Sequence, residues 1–130
     1  MPAGQPETFK SPYISIHWEE GLLVCQYARN LHLSLEVARH CVESRIFFSK
    51  GKNCLLLIDM TGIKSTTREA RHYMATIGAT HVIAAALITG SVLNRALANL
   101  FLTVNKPQVP TRLFTDPEKA KQWLRQFKLE

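Results

Sequence analysis

Two short, unbroken apolar runs, Cys54–Ile58 and Val82–Ile88, constrain this chain more than any other feature. A strand with one face in water alternates apolar and polar side chains. A run that is apolar at every position must instead be covered on both faces, which is the situation inside a parallel sheet flanked by helices. The first run ends in Asp59 and the second in Thr89-Gly90-Ser91, so both stop at turn-forming residues. Within the second, Ala84, Ala85 and Ala86 leave room for a helix to pack closely.

The segments around these runs supply the other elements. From Tyr13 the pattern alternates, with Ile14, Ile16 and Trp18 on one face, and Glu20-Gly21 turns the chain into Leu22–Tyr27, a β-hairpin. Ser34 is placed to cap a helix reaching Phe48, with Val37, Ala38, Cys41 and Val42 inside and Gly51 just past its end. Three consecutive apolar residues there, Ile46, Phe47 and Phe48, cannot all face one core, so one should point to solvent or to a second copy in a homodimer. Thr66-x-x-Glu69 reads as a capping box for a helix carrying Ala70, Tyr73, Met74 and Ile77 on one face and ending at Gly78. A third helix follows Ser91, with Leu93, Leu97, Leu100, Phe101 and Val104 as its inner stripe, and Pro107 and Pro110 break it. Thr111–Phe114 is a last short strand. Thr115-Asp116-Pro117-Glu118 then opens a final helix with Ala120, Trp123, Leu124 and Phe127 on its buried face. The expected fold is α/β: a mixed sheet of about five strands, built from a hairpin and parallel β-α units, flanked by about four helices.

Composition narrows the setting. At 130 residues and 46% hydrophobic, the chain suits one domain, residues 11–130, preceded by a flexible tail over residues 1–10. No run approaches the roughly 20 apolar residues of a membrane span, and Met1–Glu7 lacks the pattern of a signal peptide. Three cysteines, Cys25, Cys41 and Cys54, form no Cys-x-x-Cys and read as reduced core thiols of a cytoplasmic protein. The 16 basic residues exceed the 10 acidic ones but are scattered, with no basic run and no interleaved aromatics, so a nucleic-acid partner is not expected. The five histidines show no metal-ligand spacing. There is no nucleophile elbow and no phosphate loop, so neither a metal, a cofactor nor catalysis is expected.

The element order, the segment Leu57-Ile58-Asp59-Met60-Thr61-Gly62-Ile63 and the closing Phe114-Thr115-Asp116-Pro117-Glu118 with Trp123-Leu124 resemble small bacterial SpoIIAA-like proteins of the STAS-domain group. The resemblance covers Tyr13 to Phe127 and implies their fold. STAS regulators carry a phosphorylatable Ser or Thr in an Asp-Ser-x-Gly-like motif after a strand. Here the corresponding stretch is Ser65-Thr66-Thr67-Arg68-Glu69, which offers hydroxyls without the aspartate or the glycine. SpoIIAA-like proteins are also grouped with lipid-binding domains of the CRAL-TRIO kind, so the resemblance implies a ligand role as a second possibility.

Ligands of parallel α/β sheets sit beyond the carboxyl ends of the strands. Those ends supply Asp59 and Thr61, then Thr89, Gly90 and Ser91, with Arg68, Arg71 and Arg95 nearby as partner- or anion-binding candidates. Ser65, Thr66 and Thr67 are the candidate phospho-acceptors, at a helix start where a phosphate would be favoured. Two functions follow. One is a regulatory or protein-interaction module docking through the loop and helix around residues 59–73, with its protein partner unnamed. The other is a small-molecule or lipid-binding domain holding an apolar ligand between the sheet and the Leu93, Leu97, Leu100 and Phe101 stripe.

Overall fold

The computed structural model describes residues 7–127. Strand β1 (Thr8–Lys10) pairs antiparallel with β2 (Ile14–Glu19), which pairs antiparallel with β3 (Leu22–Tyr27). Glu20 and Gly21 both hold positive φ, 49° and 83°, as a two-residue hairpin turn between right-twisted strands requires. Strand β4 (Leu31–Leu33) leads to helix α1 (Leu35–Phe48), whose first turn is capped by Ser34: its hydroxyl accepts the Val37 N–H at 3.2 Å. Then come β5 (Cys54–Asp59), β6 (Ile63–Thr66), α2 (Arg68–Ala75) with a 3₁₀ turn at Ile77–Ala79, and β7 (Val82–Ile88). Helix α3 (Val92–Leu100) continues into a π-helical turn, Phe101–Asn105, before β8 (Thr111–Phe114) and α4 (Pro117–Leu124).

The main sheet has six strands in the order β1-β2-β3-β5-β7-β8, with β3, β5, β7 and β8 mutually parallel. The two apolar runs, β5 and β7, are therefore interior strands, each covered on both faces. A separate parallel pair joins β4 to β6. The sheet expected to have about five strands has six, the addition being β1, and β4 and β6 are the further pair that the sequence reading did not include. Of the expected tail, residues 1–6 lie outside the described residues, while Thr8–Lys10 is the edge strand β1 and Phe9 packs on the core. Strands β1, β4 and β6 have three or four residues each, too few to show a period.

The pleat divides the core. Ile14, Ile16, Leu23, Cys25, Leu56, Ala85 and Leu87 join one cluster with residues of α1, α2 and α3. Leu22, Leu55, Leu57, Ala84, Ala86 and Ile88 join another with Ala120 and Leu124 of α4. Of the three consecutive apolar residues in α1, Phe47 is the outward one, 83% exposed. No helix among the described residues is long and apolar enough to cross a membrane.

Helix α3 departs from the expected stripe. Leu97 and Phe101 face inward as expected, joined by Asn94 and Ala98, whereas Leu93, Leu100 and Val104 are exposed. The rotation follows from Asn94, which is 2% exposed. Its Nδ2 donates to the carbonyls of Met60 at 2.7 Å and Ile63 at 3.1 Å, and its Oδ1 accepts the Gly90 N–H at 3.2 Å. Buried carbonyls need donors, so satisfying this loop outweighs burying Leu93. Ile77 likewise lies outside α2 and is exposed.

Candidate functional site

Between the sheet and the α1/α2/α3 layer lies a cavity of about 100 Å³. Its walls are almost wholly apolar: Ile14, Cys25, Leu56 and Ala85 from the sheet, Cys41 and Val42 from α1, Met74 from α2, and Leu97 and Phe101 from α3 and its π turn. Well-packed cores leave few voids larger than a water molecule, so a space this size is a feature of the face that contains it. Thr66, Arg71, Met74 and Phe101 are half-buried members of the lining.

One wall is charged. Arg45, on the inner face of α1, is 3% exposed and lines the cavity. Its Nη2 donates to the carbonyls of Gly78 at 3.1 Å and Thr80 at 3.0 Å, joining α1 to the turn before β7. Its Nη1 is buried and has no hydrogen-bond partner. No carboxylate lies within 4.0 Å of Arg45 among the described residues. The neighbouring acids carry no charge to compensate it: burial pushes the Cys25 and Cys41 thiols up to about 12 and raises Tyr27, and it raises Cys54 against the opposing pull of Arg45 beside it. All four are therefore neutral at physiological pH, and the thiols are held away from the reactive thiolate form.

The carboxyl-end residues named from the sequence do come together, but mostly to satisfy one another. Asp59 Oδ1 accepts from the Thr61 amide at 3.0 Å and the Thr61 hydroxyl at 2.7 Å, an Asx turn. A Cβ at Gly90 would stand 3.2 Å from Thr61 Cγ2, so the two turns touch. Ser91 caps α3 through the Asn94 N–H at 3.0 Å, and Thr89 is buried at 3% exposure. Arg95 lies apart from the cavity, in an open cleft with Thr89, Phe114, Asp116 and Lys119.

The Ser65–Thr67 stretch corrects the capping assignment. Thr67, not Thr66, caps α2: its Oγ1 accepts the Ala70 N–H at 3.1 Å. Thr66 is the last residue of β6 and donates to the Leu33 carbonyl at 2.9 Å, because pairing with β4 draws it into a strand. Ser65 lies 2.6 Å from His32 Nδ1, across the same pair of strands. At α4 the cap is Asp116, whose Oδ1 accepts the Glu118 N–H at 2.9 Å. Arg68 is exposed, whereas Arg71 turns to the cavity and donates from Nε to Asn105 Oδ1 at 3.3 Å.

A family model described as a domain of unknown function, DUF7793, matches residues 16–128. The chain belongs to that family. A crystal structure with the same architecture is that of an uncharacterized protein of the DUF3478 family, with a SpoIIAA-like fold, from Shewanella loihica PV-4. It superposes with a TM-score of 0.61 at 15% identity, covering 95% of this chain and 98% of that one. At that identity the likeness is one of fold, and the SpoIIAA-like fold expected from the sequence is the fold of this DUF7793 domain. No curated protein matches the chain.

Arg45 and Asn94 escaped the sequence reading of the DUF7793 domain, and both had a signal. Arg45 continues the inner stripe of Ala38, Cys41 and Val42 at helical spacing, so a charge stands where a hydrophobe is due. Asn94 stands on the inner face with Leu97, Ala98 and Phe101 in the same way. A polar residue inside an apolar stripe must either pair or serve a purpose. His32 had no such signal, since only the β4–β6 pairing brings it to Ser65.

Proposed function

We propose that this DUF7793 domain is a non-catalytic binding module that holds a small, largely apolar ligand between its sheet and the α1/α2/α3 layer. The observation that carries this reading is the cavity of about 100 Å³ itself. An apolar void of about 150 Å³ stays dry and accepts benzene-sized guests, so a space of this order suits a short aliphatic or aromatic group. The polar groups of the carboxyl-end turns are committed to internal hydrogen bonds, which argues for a scaffold there rather than a catalytic constellation. Native mass spectrometry on protein purified from its own cells tests the reading. The expected result is a small-molecule adduct lost on activation, together with a higher melting temperature in the presence of octan-1-ol. A bare mass and an unmoved melting temperature would sink it.

A second reading, regulation through the segment around residues 59–73, is favoured by Ser65. Thr66 and Thr67 spend their hydroxyls on Leu33 and Ala70, whereas Ser65 bonds to the exposed His32 ring across β4–β6. A phosphate on Ser65 would add negative charge beside that imidazole. If Ser65→Asp binds the same proteins as the wild type, docking does not run through this residue.

A further inference from the structure

We infer that the ligand of the cavity is an aliphatic monocarboxylate, anchored by its carboxylate on Nη1 of Arg45 with its chain along the apolar wall. The inference rests on the pocket reading above and adds the chemical class of the guest. A guanidinium carries its charge at any physiological pH, and burying such a charge is costly unless it is paired and hydrogen-bonded. Arg45 is 3% exposed, has no carboxylate within 4.0 Å among the described residues, and lines an apolar cavity. Its Nη1 is the one buried side-chain nitrogen or oxygen without a partner among the described residues.

The remaining donors select the anion. Nη2 has two hydrogens, and the Gly78 and Thr80 carbonyls take both. Nη1 is therefore the terminal nitrogen left to donate to an anion, which cannot bridge both. A phosphate dianion would need several donors and more than one positive charge. The lining offers one other cation, Arg71, half-buried and already bonded to Asn105. A single carboxylate matches a single buried guanidinium, and its tail matches Cys25, Leu56, Ala85 and Met74. A space of about 150 Å³ accepts benzene, so about 100 Å³ takes roughly four heavy atoms, and the rest of an octanoate tail would lie toward the open side of the pocket.

Isothermal titration of the full chain with octanoate and with octan-1-ol tests this, since the two share a tail and differ in the charged group. At neutral pH octanoate should bind at least tenfold more tightly. The preference should fade as the pH drops through the ordinary carboxylic-acid range, where the guest loses its charge. Arg45→Met should abolish the preference for octanoate over octan-1-ol. Since that variant also loses two buried hydrogen bonds, ¹³C-carboxyl octanoate on the wild type gives an independent readout: its bound carboxyl should titrate below its free value. Equal binding of acid and alcohol, or an unshifted carboxyl titration, overturns the carboxylate assignment and leaves the pocket standing. Binding of neither overturns both.

Discussion

The two faces of the sheet are built from the same interior strands and packed to different ends. On the α4 face, Leu55, Leu57, Ala84, Ala86 and Ile88 meet Ala120 and Leu124, both wholly buried. Trp123 closes the edge between Phe114, 5.8 Å from it by ring centroids, and Phe127 at 5.0 Å. On the other face three helices cover the sheet, yet they leave a cavity, carry a buried guanidinium with an unpaired nitrogen, and include a π turn where Lys106 N–H reaches back to the Phe101 carbonyl. Single π turns concentrate at functional sites, and close packing is the default for a core. One helix suffices where small alanines let it sit close. Three helices do not fill the opposite side, and the unfilled space is where the proposed ligand would sit.

Truncation should separate the faces most widely. Leu124→Ala removes a wholly buried side chain from the dense face and should cost about 2–5 kcal/mol. Leu97→Ala removes atoms that already border the cavity and should fall near or below the lower end of that range. Urea unfolding of both variants measures the contrast, and equal losses would mean that the faces are packed alike.

Enlargement should give opposite signs at adjacent positions of β7. Ala86 is fully buried against the α4 face, so Ala86→Val should destabilise by about 1–3 kcal/mol through overpacking. Ala85 lines the cavity, so Ala85→Val should leave the melting temperature unchanged or raised while weakening octan-1-ol binding. A drop for Ala85→Val as large as that for Ala86→Val would show that the void is not available to a side chain.

Caps should not distinguish the faces. Thr67→Ala on α2 and Asp116→Ala on α4 each remove one capping acceptor and should each cost about 1 kcal/mol by thermal melting. A loss well beyond that at Thr67 would reveal a second role for its hydroxyl.

The smallest effect belongs to the surface pair Lys121–Glu19, 2.6 Å apart, which ties α4 to β2. The hydrogen bond that Lys121 donates to Glu19 holds the Glu19 carboxyl below its ordinary value and raises the Lys121 ammonium. The Glu19 contribution is therefore present above the ordinary glutamate pKa and lost as pH falls through the lowered one. The Lys121 contribution is present below the ordinary lysine pKa and lost as pH rises through the raised one. Both groups are solvent-accessible, so Lys121→Met should cost less than about 1 kcal/mol at neutral pH, with stability flat between those limits. A larger loss would make the pair part of the dense face.

The candidate site was less legible than the fold for a physical reason. The carboxyl-end positions Asp59, Thr61, Gly90 and Ser91 were named from the sequence because sheet topology dictates where strands end. Whether their polar groups are free or spent depends on which partners the turns bring, and Asn94 and the Asx turn show that they are spent. Thr66 and Thr67 differ by one position in the chain. The cap passes from one to the other because β6 extends through Thr66 to pair with β4, a contact between segments more than thirty residues apart.

Local chemistry alone determined the elements that are long or strongly patterned. The apolar runs became the interior strands β5 and β7, Glu20-Gly21 became the hairpin turn, Ser34 became a cap, and the α4 face was readable from Ala120 and Leu124. Each follows from interactions within a few residues or from burial on both sides of a strand. Tertiary structure decided the rest: the edge strand β1, the β4–β6 pair, the turn of α3 about Asn94, and the cavity with Arg45 in its wall. Helical periodicity reports that a face is apolar. The space left under that face, and the partner missing from a buried guanidinium, depend on how several distant segments meet.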